Sequence, residues 1–374
     1  MPARATLIVA ASETCADLYY ATGFLAPDPF VYVKVDGRSL ILASDLEIDR
    51  ARRQARVDEV WPLRRYEDRA RDRGVGHPGM IEAAAEALRE LGVEGVVVPA
   101  AFPVAHADAL RARGWAVAAR PDPFFETRAR KTPEEVRHIA ESQRRTEAAL
   151  GEAIEAIRQA DVRDGVLYRE GEPLTSEAVK ALLARRLLDL GCLARHSIVA
   201  CGIDGCDPHH EGAGPLRAGE SIILDVFPQS LATRYYADIT RTVVKGRASD
   251  GLRRMYDAVL RGQERALGLI KGGADGTAIH AEVENVFADA GFTTGEVEGR
   301  MQGFFHGTGH GLGLEIHEPP RIAKRGAILR PGHVVSVEPG LYYPEWGGVR
   351  IEDLVLVTDG GCENLTHFPK VLEV

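Results

Sequence analysis

SIILDVF (221–227) with YYADITRTVV (235–244), and HVVSVEPG (333–340) with VRIEDLVLV (349–357), are two pairs of apolar, β-branched segments. Runs of this length and composition read as strands. Each contains an acidic residue: Asp225 and Asp238 in the first pair, Glu338 and Glu352 in the second. A carboxylate inside an apolar run is unusual, because burying an unpaired charge is costly. The spacing within the pairs is nearly the same, 13 and 14 residues.

Two helical patterns precede each pair. Thr132-Pro133-Glu134-Glu135 opens a long helix, with Thr132 as N-cap, Pro133 at the first helical position and Glu135 closing a capping box. A second helix runs from about Ser176 to Leu190 and stops at Gly191. After Gly246 the order recurs, with helices from about Gly251 to Ile270 and from about Thr277 to Ala290. The chain thus repeats helix, helix, strand pair.

Two such halves packed face to face would bring four carboxylates to one point. Structural salt bridges or solvated strand ends are the plain alternative. The nearest cations in sequence, Arg241 and Arg350, are too few to neutralise four converging carboxylates. Divalent ions suffice. Oxygen-rich sites suit hard ions such as Mn²⁺, and a histidine ligand admits Co²⁺, Fe²⁺ or Zn²⁺. The alternation of a strand puts Arg350 and Glu352 on one face, so Arg350 is expected to orient Glu352.

HGTGHGLGLEIHE (306–318) supplies His306, His310 and His317 among glycines, which let backbone approach a site closely. It is not a phosphate loop, since the Lys-Ser/Thr ending is missing. Nor is it a zincin: His317-Glu318-Pro319-Pro320-Arg321 lacks the second histidine. Asp207-Pro208-His209-His210 precedes the first acidic strand, and a histidine after proline in a loop is often merely exposed.

The first third differs. TLIVA (6–10), FVYVKV (30–35), SLILAS (39–44) and VEGVVVPA (93–100) read as strands, with a tight hairpin at Asp36-Gly37. Helices are expected from His77 to Leu91 and after Pro103. The best boundary is Pro121-Asp122-Pro123. At 374 residues, two domains are the natural division.

A net charge of −9 argues against a nucleic-acid partner. The charge-rich run from Arg64 to Arg73 alternates signs and reads as a solvated helix face. Five cysteines in no metal-type spacing suit a reducing compartment and are expected to be small buried residues. MPARATLIVA has no long apolar core or cleavage signature, and no stretch approaches the roughly 20 apolar residues of a spanning helix. A cytoplasmic protein without a membrane partner is expected.

PHH (208–210), ILDVF (223–227), ADITRT (237–242), HGTGHGLGLEIHE (306–318), SVEPG (336–340) and GVRIED (348–353) together resemble the pita-bread metallopeptidases, especially Xaa-Pro aminopeptidases and Xaa-Pro dipeptidases (prolidases). The resemblance covers about 130–374, and 1–125 looks like the creatinase-type N-terminal domain of that family. It implies an α+β protein: an α/β creatinase-like domain at 1–125, then a catalytic pita-bread domain with pseudo-twofold halves at 126–374.

By resemblance, the metal ligands are Asp225, Asp238, His310, Glu338 and Glu352, holding two divalent ions, with Mn²⁺ favoured. Asp225 matches the bridging position. His209 and His317 match histidines that contact the reacting peptide group, His306 one lining the substrate pocket, and Arg350 the arginine beside the last Glu. Glu338 would take the proton of the attacking water. The implied activity is hydrolysis of the N-terminal bond of short Xaa-Pro peptides by a homodimer. The alternatives are a broader aminopeptidase and a non-catalytic peptide-binding relative. A metal-free creatinase-like hydrolase is disfavoured by the intact ligand set, and a methionine aminopeptidase by the large N-terminal region. One departure stands out. DVFPQSLATRYYAD (225–238) is longer by about two residues than the family's usual connection and contains Pro228. Its tip is expected near the site.

Overall fold

The computed structural model describes residues 4–374. The chain forms two compact units, one ending at Arg128 and the other starting at Ala129.

The first unit is built on a six-stranded mixed sheet in the order Glu59–Pro62, Arg38–Ala43, Phe30–Val35, Arg4–Ala10, Gly95–Pro99, Ala116–Arg120. Strand alternation divides its apolar residues between two cores. Leu7, Val9, Val31, Val33, Leu40 and Leu42 pack with Ala84, Ala87 and Leu88 of the helix Met80–Glu90. Ile8, Tyr32 and Ile41 face the other way, onto Leu18, Phe24 and Phe124. Asp36 and Gly37 both take positive φ, 50° and 82°, as a two-residue hairpin turn of matching twist requires. The charged run forms the helix Leu63–Asp72, which buries Leu63, Tyr66 and Ala70. Its arginines are not merely solvated: Arg65 and Arg69 both pair with Glu90.

The second unit contains the repeat. In its first half the helices Pro133–Arg158 and Ser176–Asp189 share a core with the antiparallel strands Ile222–Val226 and Ile239–Val243. Thr132 makes the expected capping box with Glu135. In the second half Asp250–Leu269 and Gly276–Asp289 pack on the antiparallel strands Val334–Val337 and Asp353–Val357. Each half therefore has its own core, and each core backs one strand pair. This is the mixed helix-and-sheet pita-bread arrangement.

Two expectations need correction. Only Asp225 lies within a strand; Asp238 immediately precedes one, Glu338 immediately follows one, and Glu352 lies between two. The segment 349–357 is not one strand, because Gly347–Arg350 ends a separate hairpin and Asp353–Val357 joins the larger sheet. The even alternation between Arg350 and Glu352 is broken at that point. The cysteines are all free thiols, but only Cys192 and Cys206 are buried; Cys15, Cys201 and Cys362 are partly exposed. No helix among the described residues is long and apolar enough to cross a membrane.

Candidate metal centre

The centre forms where the two strand pairs meet. Asp225 projects from Ile222–Val226, whose neighbour Thr240 sits opposite it in register. Thr240 Oγ1 donates to Glu352 Oε2 at 2.8 Å, and the Glu352 amide donates to Thr240 O at 3.0 Å. One threonine of the first half thus fixes the last carboxylate of the second. Asp238 is fixed through its backbone by Gln143, whose Oε1 accepts from the Asp238 amide at 3.0 Å and whose Nε2 donates to its carbonyl at 2.9 Å. Ser336 Oγ accepts from the His310 amide at 3.0 Å and donates to Glu338 Oε1 at 3.2 Å.

The reactive atoms then converge. His310 Nε2 is 3.2 Å from Glu338 Oε1 and 3.7 Å from Asp238 Oδ2. Its Nδ1 lies 3.1 Å from Gly311 O, and its Nε2 faces carboxylate oxygens. Asp238, His310 and Glu352, all buried, each offer a ligand atom within 4.8 Å of the others.

Arg350 has a different partner from the one expected. Its Nη2 donates to Asp225 Oδ2 at 2.6 Å and its Nη1 to the Tyr342 hydroxyl at 2.9 Å. It bonds Asp225 directly rather than Glu352, which it reaches only through the shared Thr240 hydroxyl. The Tyr342 hydroxyl also meets His306 Nε2 at 2.8 Å. Arg241 turns away from the centre and pairs with buried Asp353 at 2.9 Å.

The electrostatics follow from burial. Burial, then the neighbouring carboxylates, pushes Asp238 and Glu352 well above the usual carboxylate range. Burial also raises Asp225, against the opposing pull of Arg350. For Glu338, burial raises the pKa, but the His310 bond and the charges of His310, His306 and Arg350 outweigh it and hold the group at about 2. His306 and His317 are lowered to about 4, chiefly by burial. Three of the four carboxylates are therefore under-compensated by the protein. Asp225 Oδ1 and Glu352 Oε1 are buried with no hydrogen-bond partner among the described residues. Leaving such oxygens bare is costly. The donor set, carboxylate oxygens plus one imidazole, fits divalent cations.

All nine residues named from sequence line one cavity of about 620 Å³: Asp225, Asp238, His310, Glu338, Glu352, His209, His306, His317 and Arg350. His209 and His317 are exposed at it, whereas the ligand-type residues are buried or half-buried. Of the segment between Asp225 and Asp238, only Phe227 lines the cavity. Leu231 at the hairpin tip is exposed, and residues 228–234 do not line the cavity. Sequence reading missed Gln143, Thr240, Tyr342, Ser336 and Arg321. Thr240 carried a signal, being two residues from Asp238. Arg321 carried none.

The model of metallopeptidase family M24 matches residues 137–359, and that of the creatinase/prolidase N-terminal domain matches residues 4–119. The chain belongs to family M24. An M24 assignment agrees with individual relatives. The chain is 41% identical over 177 residues to an uncharacterized peptidase of Bacillus subtilis, covering 47% of each. It is 32% identical over 244 residues to an Xaa-Pro dipeptidase of Pyrococcus furiosus, covering 65% of this chain and 64% of that one. These matches span about half to just under two thirds of the curated relatives' own length. A solved Xaa-Pro dipeptidase from Bacillus anthracis superposes with a TM-score of 0.82 at 27% identity, over 100% of this chain and 95% of that one. An X-Pro aminopeptidase from Thermotoga maritima gives 0.81 at 24%, over 100% and 98%, and shares the fold.

Proposed function

We propose that this M24 chain is a dinuclear-metal exopeptidase that hydrolyses the first bond of short Xaa-Pro peptides. The observation that carries this reading is the pair of buried, partnerless oxygens, Asp225 Oδ1 and Glu352 Oε1, beside Asp238 and His310. In this reading Asp225, Asp238, His310, Glu338 and Glu352 would hold the two ions. When bound, such ions lower the pKa of water and stabilise a developing oxyanion. Manganese is the proposed metal.

The chain's own groups do the rest. Glu338, at the cavity beside His310, would accept the proton of the attacking water. His209 and His317, lining the cavity, hydrogen-bond the peptide group and its oxyanion. Arg350 keeps Asp225 aimed and charged. His306, joined to Tyr342, forms part of the pocket wall with Phe227, Phe305 and Ile316, which suit an apolar proline ring.

Arg321 favours a two-residue substrate. It is exposed at the cavity and has no carboxylate partner among the described residues. Its guanidinium suits the free carboxylate of a dipeptide. Residues 126–374 would be the catalytic domain and 1–125 its creatinase-type companion, in a cytoplasmic homodimer.

A panel of Xaa-Pro dipeptides, Xaa-Pro tripeptides and proline-free peptides, each with Mn²⁺, Co²⁺ or Zn²⁺, tests the reading. Xaa-Pro dipeptides are expected to turn over fastest with Mn²⁺. Equal turnover of proline-free peptides would favour a broader aminopeptidase. No turnover and no bound metal would favour a peptide-binding protein.

A further inference from the structure

Each half of the second unit places one fully buried glutamine on the long helix behind its strand pair. Gln143 lies on Pro133–Arg158 and Gln263 on Asp250–Leu269, and both are 0% exposed. Burying an amide without partners is costly, and the two differ here: Gln143 has both ends met, whereas Gln263 uses only its Nε2 and its Oε1 is buried with no partner among the described residues. The partners of both are backbone groups at the candidate ligands.

Gln143 is fully used. Its Oε1 accepts from the Asp238 amide at 3.0 Å. Its Nε2 donates to Asp238 O and to Thr366 Oγ1, both at 2.9 Å. The opposite amide orientation would set two donors against each other, so this arrangement has one solution. Gln263 Nε2 donates to Val337 O at 2.9 Å and to Ile351 O at 3.2 Å. Val337 and Ile351 are the residues immediately before Glu338 and Glu352. The carboxylates at issue sit where regular strand structure stops, so no ladder holds their backbone on both sides. The glutamines supply that restraint from the helix layer.

We propose that Gln143 and Gln263 are a symmetry-related pair of positioning residues for the metal centre, Gln143 setting Asp238 and Gln263 setting Glu338 and Glu352. The inference rests on the metal-binding reading above. Neither side chain lines the cavity, so neither touches substrate. Their effect passes through the peptide units that carry the ligands, as other outer groups of metal sites act.

The test uses the full chain, stripped with chelator and titrated with MnCl₂ in a calorimeter, with apo folding followed by circular dichroism and thermal melting. The parent is expected to bind two ions. Gln143→Met and Gln263→Met should each weaken Mn²⁺ binding by about 10- to 100-fold. Gln143→Glu keeps the acceptor for the Asp238 amide and should fall between Gln143→Met and the parent. If Gln143→Met does not fold, Gln143→Glu answers the same question there; at Gln263, whose amide only donates, Gln263→Asn, which keeps the donor on a shorter arm, takes that place. In the folded variants kcat should fall while KM for an Xaa-Pro dipeptide changes little. Folded variants with lowered melting temperatures but parental Mn²⁺ affinity would overturn the inference and leave both glutamines a packing role. A parent that binds no Mn²⁺ would remove the metal reading, and the inference with it.

Discussion

The two halves of the second unit share a plan and differ in what they deliver. Each backs an antiparallel strand pair with two helices, and each contributes two carboxylates and one buried glutamine. Only the second half carries His306, His310, His317 and Arg350. Its acids are glutamates, one methylene longer than the aspartates opposite. The doubled architecture thus accounts for convergence of charge, and most of the cavity's other polar groups come from the second half, His209 being the first half's own. The first half contributes two aspartates, Asp238 held through its backbone by Gln143 and Asp225 held by Arg350 of the other half.

Removing a ligand from either half should break the comparison most severely. Asp238→Ala and His310→Ala should each abolish metal-dependent peptide hydrolysis, a loss of about 10³-fold or more, with the fold largely kept. Metal analysis should show at least one ion lost per chain. Full activity in either variant would remove the assignment.

The link across the halves comes next. Arg350→Met leaves Asp225 buried without its cation. Breaking a buried pair from one side is strongly unfavourable, by about 3–5 kcal/mol in general. Hydrolysis should fall about 100-fold, and added Mn²⁺ should restore stability more than it does for the parent, as a melting series would show.

Arg321→Ala sharpens the substrate side of the second half. KM for Xaa-Pro dipeptides should rise about 10-fold or more, as for loss of a charged hydrogen bond. Tripeptides should be little affected. Equal effects on both would detach Arg321 from carboxylate recognition.

The histidines of the second half also set an acid response. His333, just before Val334–Val337, is lowered to about 4 by burial and by Lys131, Arg130 and Arg330. Its unfolded form takes up a proton near 6.5, before the folded form does. Its contribution is therefore present above about pH 6.5 and is lost as pH falls towards 4. Relative to His333→Gln, the parent should lose up to about 1.4 kcal/mol per pH unit in that window, read by urea unfolding.

The smallest effect belongs to the first half. Thr132→Ala removes the cap of its long helix and should cost about 1 kcal/mol, seen as a lower melting temperature.

The repeat was legible because its helices and strands carried their own periodicity, with a start signal at Thr132 and stop signals at Gly191 and Gly291. The strand pairs were placed correctly along the chain, but their ends were not. Asp238, Glu338 and Glu352 look like strand residues because their neighbours are apolar. The break after Arg350 depends on which sheet each segment joins, which no local pattern encodes. The same break hid the partner of Arg350. Gln143 and Gln263 were invisible for a related reason: they act on backbone groups 74 to 95 residues away. Arg321 became informative only when the fold put it at the cavity. In the N-terminal unit, the inner strands were readable from alternation, whereas Glu59–Pro62 and Ala116–Arg120 at the sheet edges were too short or too weakly apolar to stand out.

Crystals grown with Mn²⁺ and measured at its absorption edge test the central claim most directly. Two anomalous peaks are expected, about 3.5–4 Å apart, among Asp225, Asp238, His310, Glu338 and Glu352. An anomalous map with no peak there, under Mn²⁺ concentrations that support peptide hydrolysis, would contradict it.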